Sequence, residues 1–106
     1  MSTAIAIAIE NIEEIRRREG IDDVELREDI RGLAPGDLVK VSLLTGATTV
    51  ETLTVRVTSI RGRAFRGKLA VRPLSKSLAQ LRAGSPITFT ADHIHSLPKG
   101  RVPHEQ

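Results

Sequence analysis

Apolar residues recur at every second position in four short runs, and turn residues separate the runs. Val39, Val41 and Leu43 share one parity in the first run, and Leu53, Val55 and Val57 share it in the second. Phe65, Leu69 and Val71 do so in the third, and Ile87 and Phe89 in the fourth. A period of two puts such residues on one face of a strand, whereas a helix would scatter them. Pro35-Gly36-Asp37, the neighbourhood of Gly46, Arg61-Gly62-Arg63 and Ala83-Gly84-Ser85-Pro86 supply the turns. The pattern predicts strands over 38–43, 51–60, 65–71 and 87–90, with Pro73 ending the third. Ser75 to Arg82 reads as a short helical turn carrying Leu78 and Leu81. His93 to Leu97 reads as a last short strand or a 3₁₀ turn. Four to five short antiparallel strands at close spacing predict a mainly β fold, a small and partly open barrel preceded by an α-helix.

The segment before the barrel has a different pattern. Ile5, Ile9, Ile12 and Ile15 fall near one helical face, which predicts an amphipathic helix over 3–19. Glu13 with Arg17 and Glu14 with Arg18 stand at i, i+4 with the acid first. Ser2 or Thr3 caps its start, and Gly20 its end. The Ala/Ile alternation at 4–9 supports a strand as the competing reading. Residues 21–31 read either as a helical turn capped by Asp22 or Asp23, or as an edge strand at Val24-Glu25-Leu26. The organisation is thus a helix and acidic connector over 1–31, a barrel over 32–97, and a disordered tail over 98–106.

Within the barrel stretch the order of residues resembles a known bacterial family. The ordered set is Leu33-x-Pro35-Gly36-Asp37-x-Val39-Lys40-Val41, Leu53-x-Val55-x-Val57-Thr58-x-Ile60-x-Gly62, Phe65-x-Gly67-x-Leu69 with Pro73, and Leu81-x-x-Gly84-x-x-Ile87-x-Phe89 with Ile94. Over residues 32–97 this is similar to the domain of unknown function 2314 family, whose members look like small SH3-like β-barrels. The resemblance implies a fold and no activity. Where that family tends to carry a Trp, this chain has Leu53 or its neighbour. Where its central hairpin turn is often acidic, this chain has Arg61-Gly62-Arg63, which implies a different partner.

The charges are segregated. From Thr52 to Ala91 the chain has eight bases and no acid, while its first 30 residues hold nine acids and four bases. A one-signed surface implies a partner of opposite sign or a coat of counterions. With a three-residue connection at 61–63, Arg56 lies opposite Lys68 and Thr58 opposite Arg66. A two-residue turn reverses the facing parity unless a bulge corrects it. Like charges directly opposite on a sheet repel, so an anion between them would be stabilising. The candidate binding residues are Arg56, Arg61, Arg63, Arg66, Lys68 and Arg72. Three sources of that anion stay open: nucleic-acid phosphates, an acidic protein surface (including the N-terminal segment of a neighbouring copy), and solvent with salt, the usual surroundings of a basic face. Ile5, Ile9, Ile12 and Ile15 are the candidate self-association residues, because a helix of that length is marginal alone and must bury its apolar face.

Several classes are disfavoured. Without cysteine there are no disulfides, thiolate metal sites or cysteine nucleophiles. His93-x-His95, beside Asp92 and with His104 in the tail, falls short of the three or four ligands of a zinc site. No nucleophile motif or phosphate-cradling glycine loop occurs, and the paired carboxylates lie on an exposed segment. A non-enzymatic module without cofactor or small-molecule substrate is therefore expected. Phe65 and Phe89, the two aromatic residues, are on the inward register, which leaves no platform for stacking single-stranded bases. No apolar run approaches the roughly 18–20 residues of a membrane span. Ala4 to Ile9 lacks a basic flank and runs into Glu10, unlike an export signal. A cytoplasmic location without membrane contact is the expectation.

Overall fold

The period-two runs form strands, and their inward residues build the core. The computed structural model describes residues 7–45 and 48–98. Among them are strands β1 (Ile7–Ile9), β2 (Leu38–Thr45), β3 (Thr48–Arg61), β4 (Ala64–Leu69), β5 (Pro86–Thr90) and β6 (Ile94–Ser96). Helices α1 (Ile12–Arg18) and α2 (Val24–Arg31) lie between β1 and β2. All pairings are antiparallel, in the order β1-β2-β3-β4-β5, with β6 returning to pair with β2. That return curls the sheet into the expected small, partly open barrel.

The core consists of Val39, Val41, Leu43, Leu53, Val55, Val57, Phe65, Leu69, Leu78, Phe89 and Ile94, with Leu33 at its margin. Each strand contributes alternate residues, as the pleat requires. Phe65 and Phe89 are cross-strand partners, and their rings stack with centroids 5.3 Å apart. Gly67 is the inward residue between them and Leu69. A Cβ there would stand 2.6 Å from both Val55 Cγ1 and the Arg56 carbonyl oxygen, so only glycine lets β3 and β4 approach this closely.

The N-terminal segment corrects the expected long helix. Ile7–Ile9 is a strand, with Ile9 opposite Leu43, and the helix begins at Ile12. Pairing with the free edge of β2 satisfies backbone groups that no helix there could supply to it. Asn11 caps α1 by accepting the Glu14 N–H at 2.9 Å. Gly20, at φ +73°, takes the left-handed conformation that follows the helix end. Neither Glu13–Arg17 nor Glu14–Arg18 closes into an ion pair, and Arg16 donates instead to the His95 carbonyl at 3.1 Å. Within the 21–31 segment Val24–Arg31 is helix α2, capped by Asp23, which accepts the Leu26 N–H at 3.0 Å. Ser2, Thr3, Ile5, Gly46 and the tail after Pro98 lie outside the described residues.

Two further departures concern the central strands. The β3–β4 connection is the two-residue turn Gly62-Arg63 rather than a three-residue one, with Arg61 opposite Ala64. Gly62 has φ +61°, as the first position of a type II′ hairpin turn demands. A bulge between Val57 and Ser59 restores the parity, so Ser59 stands opposite Arg66. The Thr58 hydroxyl still donates to the Arg66 carbonyl at 3.1 Å. The other departure is Val71, expected inward but 41% exposed. The strand ends at Leu69, and residues 70–85 form a strap before β5.

Candidate anion-binding face

β3 and β4 present the basic residues by simple alternation. Val55, Val57 and Leu69 point inward, so Arg56 and Lys68 point outward, directly opposite each other. Arg66 follows two positions on, facing Ser59 across β3 and Thr88 across β5. Arg61 ends β3 at the hairpin tip. All four are exposed, and no acid occupies an outward position of β3, β4 or β5. Lys40 stands beside Thr54 on β2 and adds one more cation at the margin.

Their partners differ. Arg56 Nη1 donates to the Gly36 carbonyl at 3.1 Å, which fixes its guanidinium beside the Pro35-Gly36-Asp37 turn. That turn is itself tied to β3, with Gly36 N–H on the Val57 carbonyl at 2.7 Å and Val57 N–H on the Asp37 carbonyl at 2.9 Å. Arg63 is spent on an ion pair with Asp92 at the hairpin tip. Arg61, Arg66, Lys68 and Arg72 have no partner among the described residues. Arg72 is not on the sheet; it lies on the strap, exposed and near Arg82.

The strap extends this face. Ala70 N–H donates to the Thr54 carbonyl at 2.9 Å, so the chain continues alongside β3 after β4 ends. The Glu51 carboxylate then accepts Leu74 N–H at 3.0 and 3.1 Å and Ser75 N–H at 3.0 Å. Held this way, Leu74 is 91% exposed. Leu78 anchors the far side of the strap in the core. Sequence reasoning missed Glu51 and Leu74. The available signal was Pro73, which breaks the alternation and frees the next side chain from strand parity.

Of the expected Ile face, Ile5 lies outside the described residues, and Ile9, Ile12 and Ile15 do not share one helix. Ile9 is on β1, packed against the core, and Ile12 is buried on α1 with Ile15 half-buried beside it. These residues seat the N-terminal segment on the barrel. α1 and α2 lie at the hairpin-tip end, where Glu13, Arg17, Arg27, Ile30, Arg63 and Asp92 line a cleft of about 290 Å³. A more apolar cleft of about 270 Å³ lies where the terminal strands β1 and β5 both line the open seam, between Ile9, Leu43, Leu69, Leu81 and Ile87.

The histidines diverge. His93 Nδ1 accepts the Thr90 N–H at 3.0 Å within the 3₁₀ turn Ala91–His93, and His95 Nδ1 meets the Ser96 hydroxyl at 3.0 Å. Burial pushes the His93 imidazole below its ordinary 6.5, and Asp92 partly opposes this. Among the described residues no three potential metal ligands cluster, and no helix is long and apolar enough to cross a membrane. Compared with protein-family models, curated proteins and solved structures, the chain matches none.

Proposed function

We propose that this chain is a non-enzymatic interaction module whose outer β3–β4 face binds an acidic protein surface. The observation that carries the reading is the opposition of Arg56 and Lys68, with Arg66 on the same face and no outward acid to compensate them. Two like charges at adjacent cross-strand positions destabilise the hairpin unless an anion lies between them. The carbonyl contact of Arg56 orients its guanidinium and leaves donors free for a carboxylate. Exposed apolar groups on the adjoining strap favour a protein over a bare polyanion.

Backbone phosphate is the second reading, supported by the same four unpartnered cations. The buried, mutually stacked phenylalanines leave it without base stacking. Titration with poly-L-glutamate and with a random DNA duplex across a salt series separates the two. Poly-glutamate binding that falls about tenfold or more in the Arg56→Gln, Lys68→Gln double variant is the expected result. Preference for the duplex, with a steep slope of log K on log salt, would reassign the face to phosphate.

A further inference from the structure

Among the described residues, the large hydrophobic side chains most open to solvent form two pairs, one on each side of the charge divide. Ile21 and Val24, each 51% exposed, lie in the acidic segment. Val71 and Leu74, at 41% and 91%, lie on the strap. Both pairs are spaced three residues apart. Glu19 to Glu25 carries four acids and no base, and Lys68 to Lys76 carries three bases and no acid. Each patch is an apolar pair flanked along the chain by charges of mainly one sign, opposite in the two patches, although Asp22 is paired with Arg27 and the Glu51 carboxylate is taken up by the Leu74 and Ser75 amides.

The two patches belong to different parts of the barrel. α1 and α2 pack at the hairpin-tip end, where Glu13, Arg27 and Ile30 share a cleft with Arg63. The strap leaves β4 at Leu69, the opposite end of a six-residue strand, and is pinned to β3 by Thr54 and Glu51. A strand of that length separates the hairpin tip from the start of the strap by about 17 Å.

We propose that the partner of the strap is a second copy of this chain, whose Ile21–Val24 segment docks on Val71–Leu74. This rests on the acidic-partner reading above and names the acid. Leu74 and Val71 would bury against Ile21 and Val24, while Lys68, Arg72 and Lys76 face Glu19 and Glu25, Asp22 being paired with Arg27 of its own chain. The contact is heterologous, since each copy offers two different patches, so it builds head to tail. The apolar pairs supply affinity, and the charges supply orientation and salt sensitivity.

The test is sedimentation equilibrium of the full chain from ~10 µM to ~1 mM, at ~50 mM and ~1 M salt. Concentration-dependent association at low salt, weakened at high salt, is expected. Leu74→Ser and the Ile21→Ser, Val24→Ser double variant should each weaken it about tenfold or more; circular dichroism checks that both stay folded, since Leu74 is 91% exposed but Ile21 and Val24 only 51%. An equimolar mixture of the two variants retains one good patch on each chain. It should form 1:1 dimers and nothing larger. Association that neither variant weakens, or a mixture that stays monomeric although the parent associates, overturns the docking mode. A parent chain that is monomeric throughout yet binds poly-L-glutamate overturns the self-contact and leaves the acidic-partner reading standing. A chain that does neither overturns both.

Discussion

Arg56 on β3 and Lys68 on β4 face each other directly on the outer surface of the sheet. Side chains at such positions have Cβ atoms about 4.5–5.5 Å apart, and a like-charged pair there is unfavourable by a few tenths of a kcal/mol to about 1 kcal/mol. Converting Lys68 to Glu should therefore raise stability by about 0.5 kcal/mol, read as a higher urea midpoint at unchanged m-value. The same substitution should weaken poly-glutamate binding about tenfold or more. Opposite signs for the two effects are the mark of a surface kept for binding; parallel loss of both would count against it.

Gly67→Ala should destabilise the barrel by about 1–3 kcal/mol. The new methyl would meet Val55 Cγ1 and the Arg56 carbonyl oxygen at 2.6 Å, and one of those contacts is backbone that cannot rotate away. Denaturant unfolding measures the loss. Because Arg56 and Lys68 flank this point, the variant should also broaden or shift the amide resonances of both residues.

Glu51→Ala should release the strap without unfolding the domain. The carboxylate holds the Leu74 and Ser75 amides, and hydrogen bonds to a charged group contribute at most about 1.5–3 kcal/mol each, net of exchange with water. Amide hydrogen exchange at these two positions should accelerate at least tenfold. Exchange at Val55 and Val57, in the core of β3, should change far less.

His93 ties stability to mild acid. Its pKa is lowered in the folded chain by burial, so between the folded and unfolded values the unfolded chain binds more protons. Its contribution is full above about pH 6.5 and declines as pH falls through the lowered folded value. Protonation also removes the Nδ1 lone pair that accepts the Thr90 N–H. The thermal midpoint should drop between pH 7 and pH 5, and His93→Asn should flatten that dependence while lowering the midpoint at pH 7.

The barrel was readable because alternation and burial coincide: Val55 and Val57 are inward in both sequence and structure, and Arg56 is outward in both. The bulge at Thr58 was not, since one extra residue leaves no mark on composition and only the partner strand reveals it. Ala8 and Ile9 looked helical because helix chemistry follows them. The free edge of β2 at Leu43 and Leu44 decided the matter, and that edge is a tertiary fact. The basic residues of the candidate face were all visible as charges. What could not be seen was their accounting: Arg63 is tied to Asp92, and Val71 and Leu74 escape the core once Glu51 captures the strap.

β2 receives β1 at Leu43–Thr45 and β6 at Lys40 and Val41 along the same edge. The two extremes of the described chain are therefore zipped onto one strand, a few residues apart. Closing that edge brings together segments separated by most of the domain, and the chain entropy lost in doing so precedes the contacts that reward it. Folding should consequently be slow for a protein of this size, on the millisecond-to-second scale of β-barrels with non-local pairing. The β3–β4 hairpin, closed by two residues, is the natural place for it to begin.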